Sequence, residues 1–481
     1  MQRRTKIVAT LGPATSSPEN IAAMITAGVN VVRMNFSHGC AEDHIERTRL
    51  VREQAAKQGR FVAILGDLQG PKIRISRFAN DKETLTVGQR FILDGALDGN
   101  AGDSTRVGID YKELVTDSRP GDILLLDDGR LVFEVTSVEG QEIHCTVQVG
   151  GVISNNKGIN RKGGGLSAAA LTEKDKQDIL LAAKLDVDFL AVSFPRDAAD
   201  MQTARQLMEA AGCNANLIAK IERAEAIEDG VLDGIIHASD GVMVARGDLG
   251  VEIGDAELIG VQKHIIERAR TGNKVVITAT QMMESMISSP LPTRAEVFDV
   301  ANAVLDGTDA VMLSGETAMG DFPIQTVEAM ARVIVGAEQH PSSNVSKHRM
   351  HESFTYIDES VALSAMYVAN HLEGVKAIIC MTETGATPLI MSRIRSQQPI
   401  YAYSRLTKTQ HRVAMYRGVK TIPFDVSAVP NEETNQRAVD ELVQRKVVEE
   451  GDLVIITKGD YVNAQGGTNT MKIVRVGAKI Q

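Results

Sequence analysis

The sequence predicts an α/β fold: a (β/α)8 TIM barrel interrupted after its third strand by an inserted all-β domain, then a separate C-terminal α/β domain. Three observations carry this. Short Val- and Ile-rich runs alternate with helical patterns, as βα units of a parallel sheet do. The alternation stops at Pro71 and resumes at Leu171. It restarts a second time after the polar stretch His340-Pro341-Ser342-Ser343. The expected division is residues 1–70 and 167–341 for the barrel, 71–166 for the insertion and 342–481 for the C-terminal domain. A chain of 481 residues is long enough for several such units.

The elements follow in order. Strands are expected at Lys6–Leu11, Val31–Phe36 and Val62–Leu68, with helices at Pro18–Ala27 and Ala41–Gln58. From Pro71 to about Gly165 helical periodicity is almost absent. Strand-like runs (Ile73–Phe78, Arg90–Leu93, Ile123–Leu126, Leu131–Val135, Ile143–Val149) are separated by turn pairs such as Asp94-Gly95 and Asp128-Gly129. The stretch is far longer than ordinary loops, so it reads as a domain. Gly163-Gly164-Gly165 ends it as a hinge. Thr172 to Asp175 has the form of a helix-opening capping box. Strands at Val187–Phe194, Leu217–Glu222, Val242–Arg246, Val275–Thr280 and Ala310–Ser314 bring the count to eight. An open doubly wound sheet is the competitor, weakened because no G-x-G-x-x-G follows the first strand. In the last domain a helix at Ser360–Leu372 and strands at Val375–Met381, Pro399–Tyr403 and Lys420–Pro423 precede a polar helix near Asn431–Val448. Strands at Leu453–Thr457 and Met471–Val476 close the chain.

Composition narrows the function. Apolar residues are 43% of the chain and charged residues 24%, ordinary for a soluble globular protein. A net charge of −10 argues against general affinity for nucleic acid or an anionic membrane surface. No apolar run approaches the ~20 residues of a membrane span, and the N-terminus has no signal-peptide core. The four cysteines are scattered without a C-x-x-C pair, which suits a reduced, cytoplasmic setting.

In a barrel, chemistry sits at the C-terminal ends of the strands. Here strand two ends in Arg33-Met34-Asn35-Phe36-Ser37-His38 and strand three at Asp67. Strand five carries Lys220 and Glu222, strand six ends Arg246-Gly247-Asp248, strand seven Thr278-Ala279-Thr280 and strand eight Ser314-Gly315-Glu316. One polar residue at a strand end ordinarily just meets solvent; six such ends on one rim are harder to dismiss. Period-two spacing puts Arg33 with Asn35, Lys220 with Glu222, and Thr278 with Thr280 on common faces. Glu222 and Asp248 suit a Mg²⁺ (or Mn²⁺) ion held through oxygen. The guanidinium groups of Arg33 and Arg74 suit phosphate, and Lys220 offers a point charge to a transferring phosphoryl group. His38 suits a hydrogen bond to a ligand better than metal ligation.

The segments Asn35-Phe36-Ser37-His38-Gly39, Gly70-Pro71-Lys72-Ile73-Arg74, Ile218 to Glu222, Met243 to Gly250, Ala279 to Met286 and Pro292-Thr293-Arg294-Ala295-Glu296 resemble the signature segments of pyruvate kinases. The resemblance runs in order along nearly the whole chain. It is to bacterial members, without the N-terminal extension of animal ones. It implies phosphoryl transfer from phosphoenolpyruvate to ADP, giving pyruvate and ATP. Glu222 and Asp248 would ligate the divalent ion, and Lys220 would neutralise the phosphoryl group in flight. Arg33 and Arg74 would hold phosphates. The backbone of Ala245, Arg246, Gly247 and Asp248 would receive the substrate carboxylate, and Thr280 would lie near the carbon that is protonated. Ser314 and Glu316 would join the proton network. Asn35, His38, Arg74 and Lys157 would meet the nucleotide as the inserted domain closes and excludes water.

Two departures carry content. Many members have glutamate where this chain has Lys72, and there the equivalents of Asn35, Ser37, Asp67 and Leu68 surround a required K⁺. The Lys72 ammonium is expected to supply that charge, removing the K⁺ requirement. In the C-terminal domain, Thr382, Thr384, Gly385, Ala386 and Thr387 lead into a helix with Pro388 in its first turn. By resemblance this is an allosteric phosphate cradle, with Gly466 to Thr470 closing it. Similar enzymes have arginine at Ala386, so a sugar monophosphate or nucleoside monophosphate is expected rather than a doubly phosphorylated sugar. A homotetramer, with the helix at Pro292–Leu305 as a subunit contact, is implied by resemblance alone. A pyruvate-enolate lyase, including one using Lys220 as a Schiff base, is the competing enzyme class. A non-catalytic sensor using only the C-terminal cradle is the third reading.

Overall fold

The computed structural model describes residues 3–344, 353–460 and 467–479. Eight parallel strands close into a barrel in chain order: Lys6–Thr10, Val31–Asn35, Ala63–Asp67, Phe189–Val192, Asn216–Ile221, Gly241–Ala245, Val275–Ala279 and Ala310–Leu313, the last pairing with the first. Helices cover the outside and side chains fill the inside, so most strand residues are buried on both faces and read as unbroken apolar runs. The strands stop at or just before the polar ends named above, which places those ends on the rim.

The expected helix Pro18–Ala27 forms as read, capped by the Ser17 hydroxyl. The Thr172/Asp175 capping box opens the helix Glu173–Lys184. The insertion leaves after the third strand through Gly70, whose φ of +66° and close approach to Ser193 both exclude a side chain. It contains a six-stranded sheet and a separate two-stranded one around Phe91, Phe133, Leu93 and Ile143. One expected strand is corrected here. Ile73–Phe78 makes only isolated bridges, because it crosses between partners, meeting Gly158, Ile109 and Gly102 in turn. Strands at Lys82–Leu85, Arg106–Gly108, Gly151–Ser154 and Ile159–Arg161 were not expected. The exit glycines 163–165 are all left-handed.

The C-terminal domain is a five-stranded sheet whose last strand, Thr468–Arg475, is antiparallel. It packs beneath the barrel, at the end opposite the polar rim. One apolar cluster runs from inside the barrel (Val8, Leu65, Met312) into this domain (Ile378, Met391, Ile455). A buried ion pair of Arg393 with Asp309 joins the two, and the Arg417 amide also donates to Asp309 (3.1 Å). Among the described residues, no helix is long and apolar enough to cross a membrane.

Candidate active site

Four of the sequence-predicted residues meet in one charged cluster at the barrel mouth. Asp67, buried at the end of the third strand, accepts the Arg33 Nε at 2.5 Å and lies 3.4 Å from the Lys220 ammonium. Lys220 Nζ is also 2.9 Å from Glu222 Oε1. Burial opposes the charge on Asp67, but Arg33 and then Lys220 outweigh it and hold its carboxyl below the usual range. For Lys220 burial is likewise outweighed, by Asp67 and Glu222, so the ammonium stays charged. Glu222 behaves differently. Burial pushes its carboxyl up to about 6; Lys220 opposes this, and the charges of Asp248 and Asp67 add to it.

The charge of Asp248 thus reaches Glu222. Asp248 stands in the first turn of the helix Arg246–Ile253. Each carboxylate is compensated by one lysine: Lys220 on Glu222 and Lys72, at 3.3 Å, on Asp248. Two acidic oxygen donors that repel each other and draw ammonium groups fit a divalent cation.

Three residues that the sequence reading passed over complete the geometry. Ser193, after the fourth strand, accepts from Lys220 (2.7 Å) and donates to the Leu68 carbonyl (2.7 Å). Thr10, ending the first strand, accepts from Arg33 (3.2 Å). The Phe194 amide donates to Glu222 Oε2 (2.8 Å). Both hydroxyl residues end strands, so the strand-end rule would have found them had it been applied to strands one and four.

Thr280 is placed by a different device. The expectation that it shares a face with Thr278 is corrected. Thr278 is buried and bonds Thr308 (3.0 Å), whereas the chain turns left-handed at Thr280 (φ +69°) and Gln281 (φ +55°). A β-branched residue there is strained and must be held. Arg246 does this, donating to the carbonyls of Ala279 (3.1 Å) and Thr280 (2.6 Å) while forking onto Asp299 (2.6 and 2.8 Å). Its side chain is therefore committed to structure. The Gly247 amide donates to Thr280 Oγ1 (2.8 Å). Ala245 caps the helix that carries Asp248.

The remaining residues have other partners. Asn35 accepts from the Ser37 amide (3.1 Å), and His38 is exposed. Leu68 is buried and meets the cluster through its carbonyl. Glu316 accepts from the amides of Ser314 (2.6 Å) and Met283 (3.2 Å), with burial raising its carboxyl. Arg74 donates to the Asn156 carbonyl (3.0 Å), and Lys157 pairs with Asp127 (2.8 Å), so both are engaged within the inserted domain. Among the described residues no ion pair joins Lys72 to Asp67: the ammonium is on Asp248 instead. At the hinge, Glu252 accepts from Ala224 N (2.8 Å) and Asn160 Nδ2 (3.5 Å), and its carbonyl accepts from Gly163 N (3.0 Å).

In the C-terminal domain a cleft is lined by Thr382, Thr384, Ala386, Thr387, Arg405 and Lys458, among others. Thr382 Oγ1 accepts from Gly385 N (2.9 Å), Thr384 Oγ1 from Ala386 N (3.3 Å), and the Thr387 and Thr468 hydroxyls are 2.8 Å apart. Gly466 lies outside the described residues.

Comparison with known proteins agrees with this architecture. The pyruvate kinase barrel domain matches residues 2–327, and the pyruvate kinase alpha/beta domain matches residues 359–474. Pyruvate kinase II of Salmonella typhimurium is 60% identical over 475 residues, spanning 98% of this chain and 99% of that protein. A pyruvate kinase of Haemophilus influenzae is 58% identical over 469 residues, 97% of each. The crystal structure of a pyruvate kinase from Cryptosporidium parvum superposes with a TM-score of 0.92 at 35% identity, covering 98% of this chain and 96% of that one. Fold and relatives together define a phosphotransferase built on a (β/α)8 barrel. The chain belongs to the pyruvate kinase family, whose members generally need Mg²⁺.

Proposed function

We propose that this chain moves the phosphoryl group of phosphoenolpyruvate to ADP, with Lys220 as the residue that meets the charge in flight. The observation that carries the reading is the buried Lys220 ammonium, held between Asp67 and Glu222. Glu222 and Asp248 would hold a divalent ion, which would supply charge neutralisation to the phosphoryl group. Arg33, aimed by Asp67 and Thr10, holds the phosphate. The backbone from Ala245 to Asp248 orients the carboxylate, and Thr280, pinned by Arg246, stands by the carbon that takes the proton. Ser314 and Glu316 extend the proton path. Asn35, His38, Arg74 and Lys157 meet the nucleotide when the inserted domain closes, which excludes water from the transfer.

Residues 1–70 and 167–341 act as barrel, 71–166 as lid and 342–481 as regulatory domain, in a cytoplasmic homotetramer with helix Arg294–Asp306 as a contact. The cleft at Thr382, Thr384, Gly385, Ala386 and Thr387 takes a sugar monophosphate or nucleoside monophosphate; Lys458 in its wall supports an anion, while Arg405 is paired with Glu383 (3.2 Å). The Lys72 charge replaces monovalent K⁺ at the mouth that Asn35, Ser37, Asp67 and Leu68 border, moving there from Asp248, with which it is paired at 3.3 Å. A coupled assay with phosphoenolpyruvate and ADP tests the activity. Mg²⁺-dependent pyruvate formation is expected, and its absence contradicts the reading. A borohydride-trapped pyruvate adduct on Lys220 would favour the lyase instead.

A further inference from the structure

The segment that leaves the inserted domain is not a loose glycine tether. Arg223, the residue after Glu222, donates to the carbonyls of Leu166 (2.8 Å) and Ala168 (3.1 Å). Glu225 accepts from the Gly165 amide (3.3 Å). From the other side, the Gly163 amide donates to the Glu252 carbonyl (3.0 Å). The exit is therefore gripped by the two stretches that carry Glu222 and Asp248.

The Glu252 side chain joins those stretches to each other. It stands one turn beyond Asp248 on the helix Arg246–Ile253, so the two carboxylates share a helix face. Its Oε2 accepts from the amide of Ala224, two residues past Glu222 (2.8 Å). Its Oε1 accepts from Asn160 Nδ2 (3.5 Å), on the strand Ile159–Arg161 of the inserted domain. Glu252 is buried, and among the described residues it makes no ion pair. An apolar side chain would fill that space without the cost of burying a carboxyl, but would leave the Ala224 and Asn160 donors unmet. The cleft that Glu252 shares with Asp248, Lys72 and Asn160 has a volume of about 20 Å³, room for one water. Packing that close passes a shift of one wall to the other.

We propose that Glu252 is a positioning residue: it sets the spacing of Glu222 and Asp248, and links their hold on a divalent ion to the position of the inserted domain. The inference rests on the reading of those carboxylates as metal ligands and of the inserted domain as a lid. With Asn160 on one oxygen and the Ala224 amide on the other, the Glu252 carboxyl is fixed, and the Glu222 turn is fixed against the Asp248 helix. A lid that swings away takes Asn160 with it and frees Glu252 to turn, which loosens the pair. The linkage is reciprocal: whatever the lid does to metal affinity, the metal does to the lid. Arg223 keeps its own grip on the exit segment, so loss of the Glu252 carboxyl uncouples the lid without detaching it.

The test uses Mn²⁺ as probe on the full chain, with affinity read by electron paramagnetic resonance and lid position by hydrogen exchange in peptides covering residues 156–168. In the wild type Mn²⁺ is expected to slow exchange there. Glu252→Leu removes both acceptors and is expected to weaken Mn²⁺ binding at least about fivefold and to abolish that slowing. Glu252→Gln keeps an oxygen for the Ala224 amide and is expected to recover most of the affinity. Equal affinity and equal slowing in Glu252→Leu overturn the inference alone, as does Mn²⁺ binding that leaves wild-type exchange unchanged. A wild type that binds no Mn²⁺ overturns the reading of the site and the inference with it. Asn160→Ala alters only the inserted domain and guards against a Glu252→Leu chain that misfolds: loss of the slowing supports the link, and full slowing refutes it.

Discussion

Replacing Lys220 by methionine keeps the unbranched stem of the side chain and removes the ammonium group. Two carboxylates lie within 3.4 Å of the ammonium, and at an effective dielectric near 20 each contact is worth roughly 5 kcal/mol before desolvation is counted. Most of that holds the ground state together, and Arg33 still serves Asp67 in the variant. What turnover loses is the share transferred to the moving phosphoryl group. Removal of one aimed donor ordinarily costs about 3–4 kcal/mol, or 10²–10³ in kcat. Glu222, without its lysine, moves further up from about 6 and holds a metal less well. The assay is steady-state kinetics with saturating Mg²⁺, alongside circular dichroism to verify that the variant is folded. The expected pattern is a fall in kcat far larger than the change in KM for phosphoenolpyruvate. A folded Lys220→Met enzyme retaining more than about a tenth of wild-type kcat would refute the reasoning.

Further outcomes follow from the same geometry. Wild-type turnover with Mg²⁺ is expected to need no K⁺, and Lys72→Glu to create a requirement for it; activation of the wild type by more than about tenfold in K⁺-free, Na⁺-free buffer contradicts this. Ser193→Ala removes the hydroxyl that Lys220 donates to and is expected to lower kcat by about tenfold, with Ser193→Thr restoring part; no change in either variant counts against a positioning role. Burial pushes the Glu252 carboxyl up to about 7; the Ala224 amide opposes this and Glu225 adds to it. A raised carboxyl holds its proton more tightly when folded, so this contribution to stability is present below about 4.5 and lost as pH rises through about 7. Glu252→Gln is expected to flatten the fall in thermal stability over that window, by at most about 3 kcal/mol. Melting curves that track the wild type at every pH would contradict it.

The barrel was legible because a strand buried on both faces must be apolar throughout, so its polar end stands out. Asp67, Lys220 and Glu222 were found in that way, and the structure brings them together with Arg33. Ser193 and Thr10 were passed over because a single small hydroxyl carries no charge signal, although each aims one of those cations. Thr280 shows where alternation fails: period two holds only while the chain stays extended, and here it turns left-handed one residue past the strand. The lid was harder still. Lys82–Leu85 is a four-residue edge strand with one buried side chain, and Arg106–Gly108 has three residues, so neither builds a pattern.

The central claim is that Glu222 and Asp248 hold one divalent ion beside Lys220. Electron paramagnetic resonance of Mn²⁺ titrated into the wild-type chain is its most direct test. One tightly bound ion per chain is expected, abolished by either Glu222→Gln or Asp248→Asn in folded protein. Undiminished binding in both variants would place the metal elsewhere and contradict the account.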